Sequence, residues 1–337
     1  MATLHLLVPG LFGPAPETLD EPPRPPTLER FLTRAERRGV EGVDCATTLA
    51  ALWGLPSANG VDLPLAALRR RGDGGTPDGR LWCQLTPVHL RPDRDRLLMF
   101  DPESVGLTPG DSQALADLFK GHFAEQGWEL EARHPHRWYL ALEHPPRITT
   151  CEGATVFGRN IDPFFPRGEE ALRWHALLNE IQMLFSSAEL NQRREAEGRP
   201  TVNGGWISGI GREPRGLVSP VSAIYSDDAL GKGLALASGL SPAALPRQGG
   251  GIGAPEGDTL VIFDAIERTL PGACPSEWSR AVAGLEQWLT PAIDRIGPDW
   301  RGIRLYPCDG RTFELTASGK RRFWRRGKPF IRFLQPS

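Results

Sequence analysis

Glu189-Leu-Asn-Gln-Arg-Arg-Glu-Ala-Glu-Gly-Arg-Pro-Thr-Val-Asn-Gly-Gly-Trp-Ile-Ser-Gly-Ile-Gly211 is the stretch whose reading decides the fold. A charge-rich helix ends at Gly198-Arg199-Pro200, because glycine and proline both stop helices. A short apolar segment then enters a glycine-punctuated turn, Gly204 to Arg212. Consecutive backbone N–H groups in such a turn form a nest for an anion. Asn203, Trp206, Gly209, Gly211 and Arg212 are therefore candidate ligand-binding residues, and Arg212 and Arg215 bring charge-assisted donors. Close backbone packing is the other explanation that the same glycines allow. Gly249-Gly-Gly-Ile-Gly253 is a second loop of this kind, and neither loop matches a Walker A or dinucleotide fingerprint.

Upstream, Leu172, His175, Leu178, Ile181, Leu184, Phe185 and Ala188 recur at helical spacing, which predicts one helix from Glu169 to Glu197. The apolar run Leu4 to Val8 stops at Pro9-Gly10, as a buried parallel strand would. Gly13 to Pro26 is proline-rich and acidic, hence a loop. Thr27 fits the N-cap of a helix from Leu28 to Arg38, and a second helix covers Cys45 to Trp53. From Leu81 to Leu142 the pattern is strand, strand, helix, strand, strand. Downstream come a helix over Ser226 to Gly239, a strand over Thr259 to Phe263 and a helix from Ser276 to Ile296. A strand over Ile303 to Tyr306 follows, then a basic hairpin from Lys320 to Leu334 with Phe323 and Trp324 packed inward. Strands alternating with helices at both ends predict an α/β sheet.

The chain has 337 residues, 40% apolar and 24% charged, with a net charge of −2. That balance excludes a general electrostatic pull toward nucleic acid or an anionic membrane. The five cysteines, Cys45, Cys83, Cys151, Cys274 and Cys308, are widely spaced and suggest neither a disulfide framework nor a zinc knuckle. No apolar run reaches membrane-spanning length and the first residues lack signal-peptide character, so a cytoplasmic setting is expected.

The order of elements around residues 191–211, with Asn191, Arg194, Asn203, Trp206, Gly209 and Gly211, resembles a signature segment of the archaeal-type, cofactor-independent phosphoglycerate mutases. These belong to the alkaline-phosphatase superfamily. It is closer still to a proteobacterial phosphoglycerate-mutase-like branch that includes RpfE-type regulatory proteins, although that branch carries an aromatic run where this chain has Trp206-Ile-Ser208. The resemblance implies an α/β, alkaline-phosphatase-like core at 1–78 and 146–337, with a small α+β domain inserted at 79–145.

It also implies a Ser or Thr nucleophile beside two divalent metals, manganese, zinc or magnesium, which neutralise the attacking and leaving oxygens. The family's first Asp is met here by Pro9, its nucleophile by Val43 and its late Asp-His pair by Asp309-Gly310. Its Pro-His-Asp motif is met by Thr149-Thr-Cys-Glu-Gly153, without the histidine. Asp44, Asp264 and Asp309 are the possible remnants, with Cys45, Thr47 and Thr48 near the nucleophile position. His134, His136, His144 and His89 form an alternative metal cluster or a set of surface histidines.

Three functions follow as expectations. The first is a catalytically degenerate, phosphoglycerate-mutase-like protein that binds no metal cofactor and acts as a binding or regulatory protein. Its partner would be a phosphorylated small molecule or a protein. The second is an active mutase or phosphotransferase with a rebuilt divalent-metal site on Asp44, Asp264 and Asp309. The third is a nucleic-acid or protein adaptor using the basic C-terminal end, nucleic acid being the less expected partner.

Overall fold

The computed structural model describes residues 2–13, 23–56, 60–254, 256–270, 274–322, 324–325 and 327–334. Most of the loop expected between Gly13 and Pro26, and the packing expected for Phe323, lie outside them. The first elements are β1 (Ala2–Leu7), α1 (Pro26–Arg34), β2 (Glu36–Gly39), α2 (Cys45–Leu52) and α3 (Leu65–Gly72). Then come β3 (Leu81–Asp93), β4 (Arg96–Phe100), α4 (Pro109–His122), β5 (Leu130–His134), β6 (Arg137–Leu142), β7 (Ile148–Thr149) and β8 (Arg167–Gly168). After α5 (Ala171–Ser186) and α6 (Glu189–Ala196) follow β9 (Gly204–Arg212), β10 (Ala223–Tyr225) and α7 (Ala229–Ala237). The last are β11 (Thr259–Ile262), α8 (Pro275–Asp294), β12 (Trp300–Tyr306) and β13 (Arg311–Thr316).

The chain divides into two units, one of residues 1–55 and 216–337, the other of residues 56–215. In the first, six strands form one sheet in the order β10-β11-β1-β12-β13-β2. The pairs β10–β11, β11–β1 and β1–β12 are parallel, while β13 and β2 close the edge antiparallel. Residues 3–7 of β1 are all buried, so its apolar run is that of a strand covered on both faces. Trp278, Val282, Leu285, Trp288 and Leu289 of α8 recur at helical spacing and join Leu6, Val261 and Leu305 in the core. Glu286 of the same helix accepts from the N–H groups of Thr27 (2.7 Å) and Leu28 (2.9 Å). It caps α1, where the sequence suggested Thr27 itself. The expected α/β class, a central sheet flanked by helices, is what the structure has.

In the second unit β4-β3-β6-β5 pair antiparallel, and β9 pairs antiparallel with Leu81 to Val88 of β3, while β4 takes His89 to Asp93. The expected block from Leu81 to Leu142 is present element by element. β9 crosses back to pair with β3 in the register Trp206↔Thr86 and Gly204↔Val88, within the unit of residues 56–215.

Three local expectations are corrected. Gly204 to Arg212 is a strand, mostly buried, and not a turn. Its glycines permit close packing: a side chain at Gly205 would meet Leu85 and Ile181, and one at Gly211 would meet Pro64 at 2.5 Å. The helix expected from Glu169 to Glu197 is broken at Ser187-Ala188 into α5 and α6, where the Asn191 amide donates to the Phe185 carbonyl (2.7 Å). The C-terminal hairpin is not formed: among the described residues, 317–334 hold two four-residue helices, and Trp324 is exposed. This segment is anchored by Phe330, which is fully buried against Trp278.

Candidate functional site

Parallel strands end on one side of a sheet, and ligands of α/β folds bind beyond those carboxyl ends. In the first unit β1 leads into Pro9-Gly10, β11 into Asp264, β12 into Cys308-Asp309-Gly310 and β10 into Asp228. The start of α2 meets the turn after β12. The Val40 N–H donates to the Gly310 carbonyl (3.0 Å), and a Cβ at Gly310 would lie 3.8 Å from a Val43 methyl. Val43, Asp44, Asp309 and Gly310 are thus brought together, and Pro9 and Asp264 end strands of the same sheet.

Each of these residues is either unable to supply a ligand or already engaged. Pro9 has no donor atom, and Gly10, at φ +74°, packs against Glu267 and Leu270. Val43 is 74% exposed, a hydrocarbon surface where a nucleophile is expected. The Asp44 carboxylate caps α2, accepting from Thr47 N (2.7 Å) and Thr47 Oγ1 (2.8 Å). Asp264 is paired with Arg268 at 2.6 Å, one helical turn on. Asp309 accepts from the Arg311 backbone N–H (3.1 Å) and from Arg311 Nε (2.7 Å), while that guanidinium lies over the Phe12 ring. A two-metal centre needs several carboxylate and imidazole ligands, and at these positions Pro9, Val43 and Gly310 supply no donor side chain. These side chains do not fit one. Among the described residues, no three His, Cys, Asp or Glu side chains gather in a geometry that could hold a metal.

The alternative nucleophiles are hydrogen-bonded, buried or held protonated. Thr47 Oγ1 accepts from the N–H groups of Val43 (3.1 Å) and Asp44 (3.2 Å). Thr48 is buried beneath Gly42, its hydroxyl without a hydrogen-bond partner. The neighbouring Cys308, then loss of solvent, holds the Cys45 thiol pKa well above the usual thiol range, so it is a poor nucleophile. The Cys45–Cys308 pair was not foreseen. Its signals were a cysteine at a helix start and another just past a strand end.

The signature residues lie in the second unit, and their polar groups are spent on the backbone. Asn191 donates to the Phe185 and Val202 carbonyls (2.7 and 2.8 Å) and accepts from Val202 N (2.8 Å). Buried Arg194 donates to Pro200 O (2.7 Å) and Val105 O and pairs with Asp111 at 3.5 Å. Asn203 takes both polar groups of Leu90, accepting from N (2.7 Å) and donating to O (2.8 Å). Trp206 Nε1 donates to Cys151 O (2.8 Å), and Arg212 Nη1 to Gly79 O (2.5 Å). Gly209, at φ +66°, sits tight against Leu65, Ala66 and Glu152.

The histidines do not converge. His134 and His136 are adjacent, with ring centroids 5.5 Å apart, and burial lowers the pKa of His136 to about 4. His89 is bonded to the Thr201 carbonyl (2.8 Å), and His144 instead lines a cavity of about 300 Å³ with Trp128 and Trp174. No helix among the described residues is long and apolar enough to cross a membrane.

No protein-family model matches the chain. A segment of 129 residues is 24% identical to a probable 2,3-bisphosphoglycerate-independent phosphoglycerate mutase of Geobacter sulfurreducens. It covers 38% of this chain and 32% of the relative, so the match spans about a third of that protein's length. Among solved structures, the PH0037 protein of Pyrococcus horikoshii aligns over 99% of this chain and 91% of its own, with a TM-score of 0.54 and 16% identity. The cofactor-independent phosphoglycerate mutase of Thermoplasma acidophilum DSM 1728 aligns over 94% and 90%, with a TM-score of 0.47 and 17% identity. The fold likeness to the Pyrococcus structure and the sequence match to the Geobacter protein support a phosphoglycerate-mutase-like scaffold.

Proposed function

We propose that this scaffold no longer carries metal-dependent phosphoryl transfer and serves as a binding or regulatory protein, of the RpfE-type branch that its signature segment resembles. One observation carries the reading. At the carboxyl end of the sheet, Pro9 and Val43 have no ligating atom, while Asp44, Asp264 and Asp309 are held by Thr47, Arg268 and Arg311. Thr47, Arg268 and Arg311 compete with any metal for the three carboxylates, and two positions have no ligating atom at all. The ligand in this reading is a phosphorylated small molecule or a protein, bound without turnover.

The test is phosphoglycerate mutase and phosphatase assays of the purified chain in the presence of manganese, zinc or magnesium. Background rates are expected. Metal-dependent turnover that Asp309→Asn abolishes, with an unchanged melting temperature, would overturn the proposal in favour of a rebuilt site.

A further inference from the structure

The cavity of about 300 Å³ in the second unit is left unused by the function above. Three stretches wall it: Gln126 to Trp128 ahead of β5, Ala141 to Pro146 at the end of β6, and the start of α5. Hydrogen bonds set the spacing of that wall. The Ala141 N–H donates to the Glu129 carbonyl (2.9 Å), and the Glu170 carboxylate accepts from the Arg147 N–H (2.6 Å). Trp128 and Trp174 meet edge to face, ring centroids 6.0 Å apart at 86°, and form an apolar corner.

Trp174 is buried, yet its Nε1–H has no hydrogen-bond partner. A buried donor left unpaired is destabilising and calls for an explanation. Trp82, Trp138 and Trp206, the other buried tryptophans of this unit, each donate, to Asp78 (3.2 Å), Ser112 Oγ (2.8 Å) and the Cys151 carbonyl (2.8 Å). Trp278 and Trp300 of the first unit also lack a partner, but both are enclosed in its core, whereas Trp174 lines a cavity. At the same cavity the exposed side chains of Gln126, Glu143 and His144 make no hydrogen bond among the described residues.

We propose that this cavity binds a single neutral, hydroxyl-bearing ring of the monosaccharide class. A sugar ring is apolar on its C–H faces and polar around its edge, which matches an indole corner bordered by donors and acceptors. Each hydroxyl both accepts and donates, so such a ring can take the Trp174 N–H and donate to the Glu143 carboxylate. The volume is at the small end of the roughly 300–1,000 Å³ that small-molecule sites span, room for one ring and not for a chain. A phosphate would face two carboxylates, Glu143 and Glu170, with Arg173 alone to offset them. A quaternary ammonium suits the tryptophans, but it cannot accept from Trp174 and would meet Arg173. The inference is independent of whether the strand-end residues retain catalysis.

The experiment is isothermal titration of the full chain at neutral pH with glucose, galactose and mannose, and with glycine betaine and inorganic phosphate as the competing chemistries. At least one sugar is expected to bind with a Kd of about 1 mM or tighter, ahead of betaine and phosphate. Trp128→Ala removes one wall of the apolar corner and should weaken binding by roughly tenfold or more. Trp174→Phe keeps a ring and removes the N–H, and should weaken it by roughly threefold to tenfold. Met183→Gln, exposed on the same helix, should leave it unchanged. Thermal melts verify folding; Glu143→Ala, at an exposed position, should weaken binding by roughly threefold and serves if a tryptophan variant unfolds. Absence of binding by all three sugars, or binding that these substitutions leave intact, overturns the proposal. Betaine or phosphate that binds more tightly than every sugar and is lost with Trp128 also overturns it, making the cavity a cation or anion site.

Discussion

The strand-end turns of the first unit and the signature segment of the second use polar residues in opposite ways. Along Asn191 to Arg212 the side chains of Asn191, Arg194, Asn203 and Trp206 are aimed at main-chain groups, so the segment fixes how α6, β9 and β3 fit together. At the strand ends stand Pro9 and an exposed Val43, and Asp44, Asp264 and Asp309 are tied to near neighbours in sequence. A motif whose hydrogen-bonding capacity is consumed by the backbone reports architecture. Only unspent groups report chemistry.

The contrast can be broken first at its structural pole. Arg194→Met leaves the carbonyls of Val105 and Pro200 and the Asp111 carboxylate without their buried partner, and should cost about 3–5 kcal/mol of unfolding free energy. Urea denaturation measures it; a loss near zero would mean the segment is not the brace described. Gly211→Ala drives a methyl into Pro64 and should cost about 1–3 kcal/mol by the same method. A neutral result would restore the reading of these glycines as a ligand nest.

A third probe uses pH. Burial, with positive neighbours, lowers the folded pKa of His136 to about 4, against about 6.5 in an unfolded chain. The unfolded state therefore binds the proton more readily, and the stability that neutral His136 contributes is complete above pH 6.5. It is lost as pH falls from 6.5 toward 4. Melting temperature should decline over that window, less steeply in His136→Gln; parallel declines in the two proteins would show that this ring is not the source. The smallest effect belongs to the strand ends. Asp309→Asn weakens one partly exposed ion pair and should shift stability by about 0–1 kcal/mol, with no change in any turnover.

Much of the fold is legible in the sequence because buried parallel strands and amphipathic helices carry strong periodicity, as β1, β11 and α8 do. β9 was misread because its glycines, which allow close packing on α3, α5 and β3, resemble turn residues when met one-dimensionally. Only long-range pairing ties β9 to β3, and local sequence carries no signal of it. Val43 and Pro9, which stand where the resemblance places a nucleophile and a first ligand, are read directly from the sequence. The engagement of the surviving acids was written there too, as Asp44 three residues before Thr47, Asp264 four before Arg268 and Asp309 two before Arg311.

The most direct test of the central claim is metal titration of the purified chain, by calorimetry and elemental analysis after exposure to manganese, zinc or magnesium and desalting. The replaced and engaged strand-end residues predict no stoichiometric retention of any of the three. Two metals retained per chain, as a two-metal phosphoryl-transfer centre requires, and released by Asp264→Asn or Asp309→Asn, would contradict it.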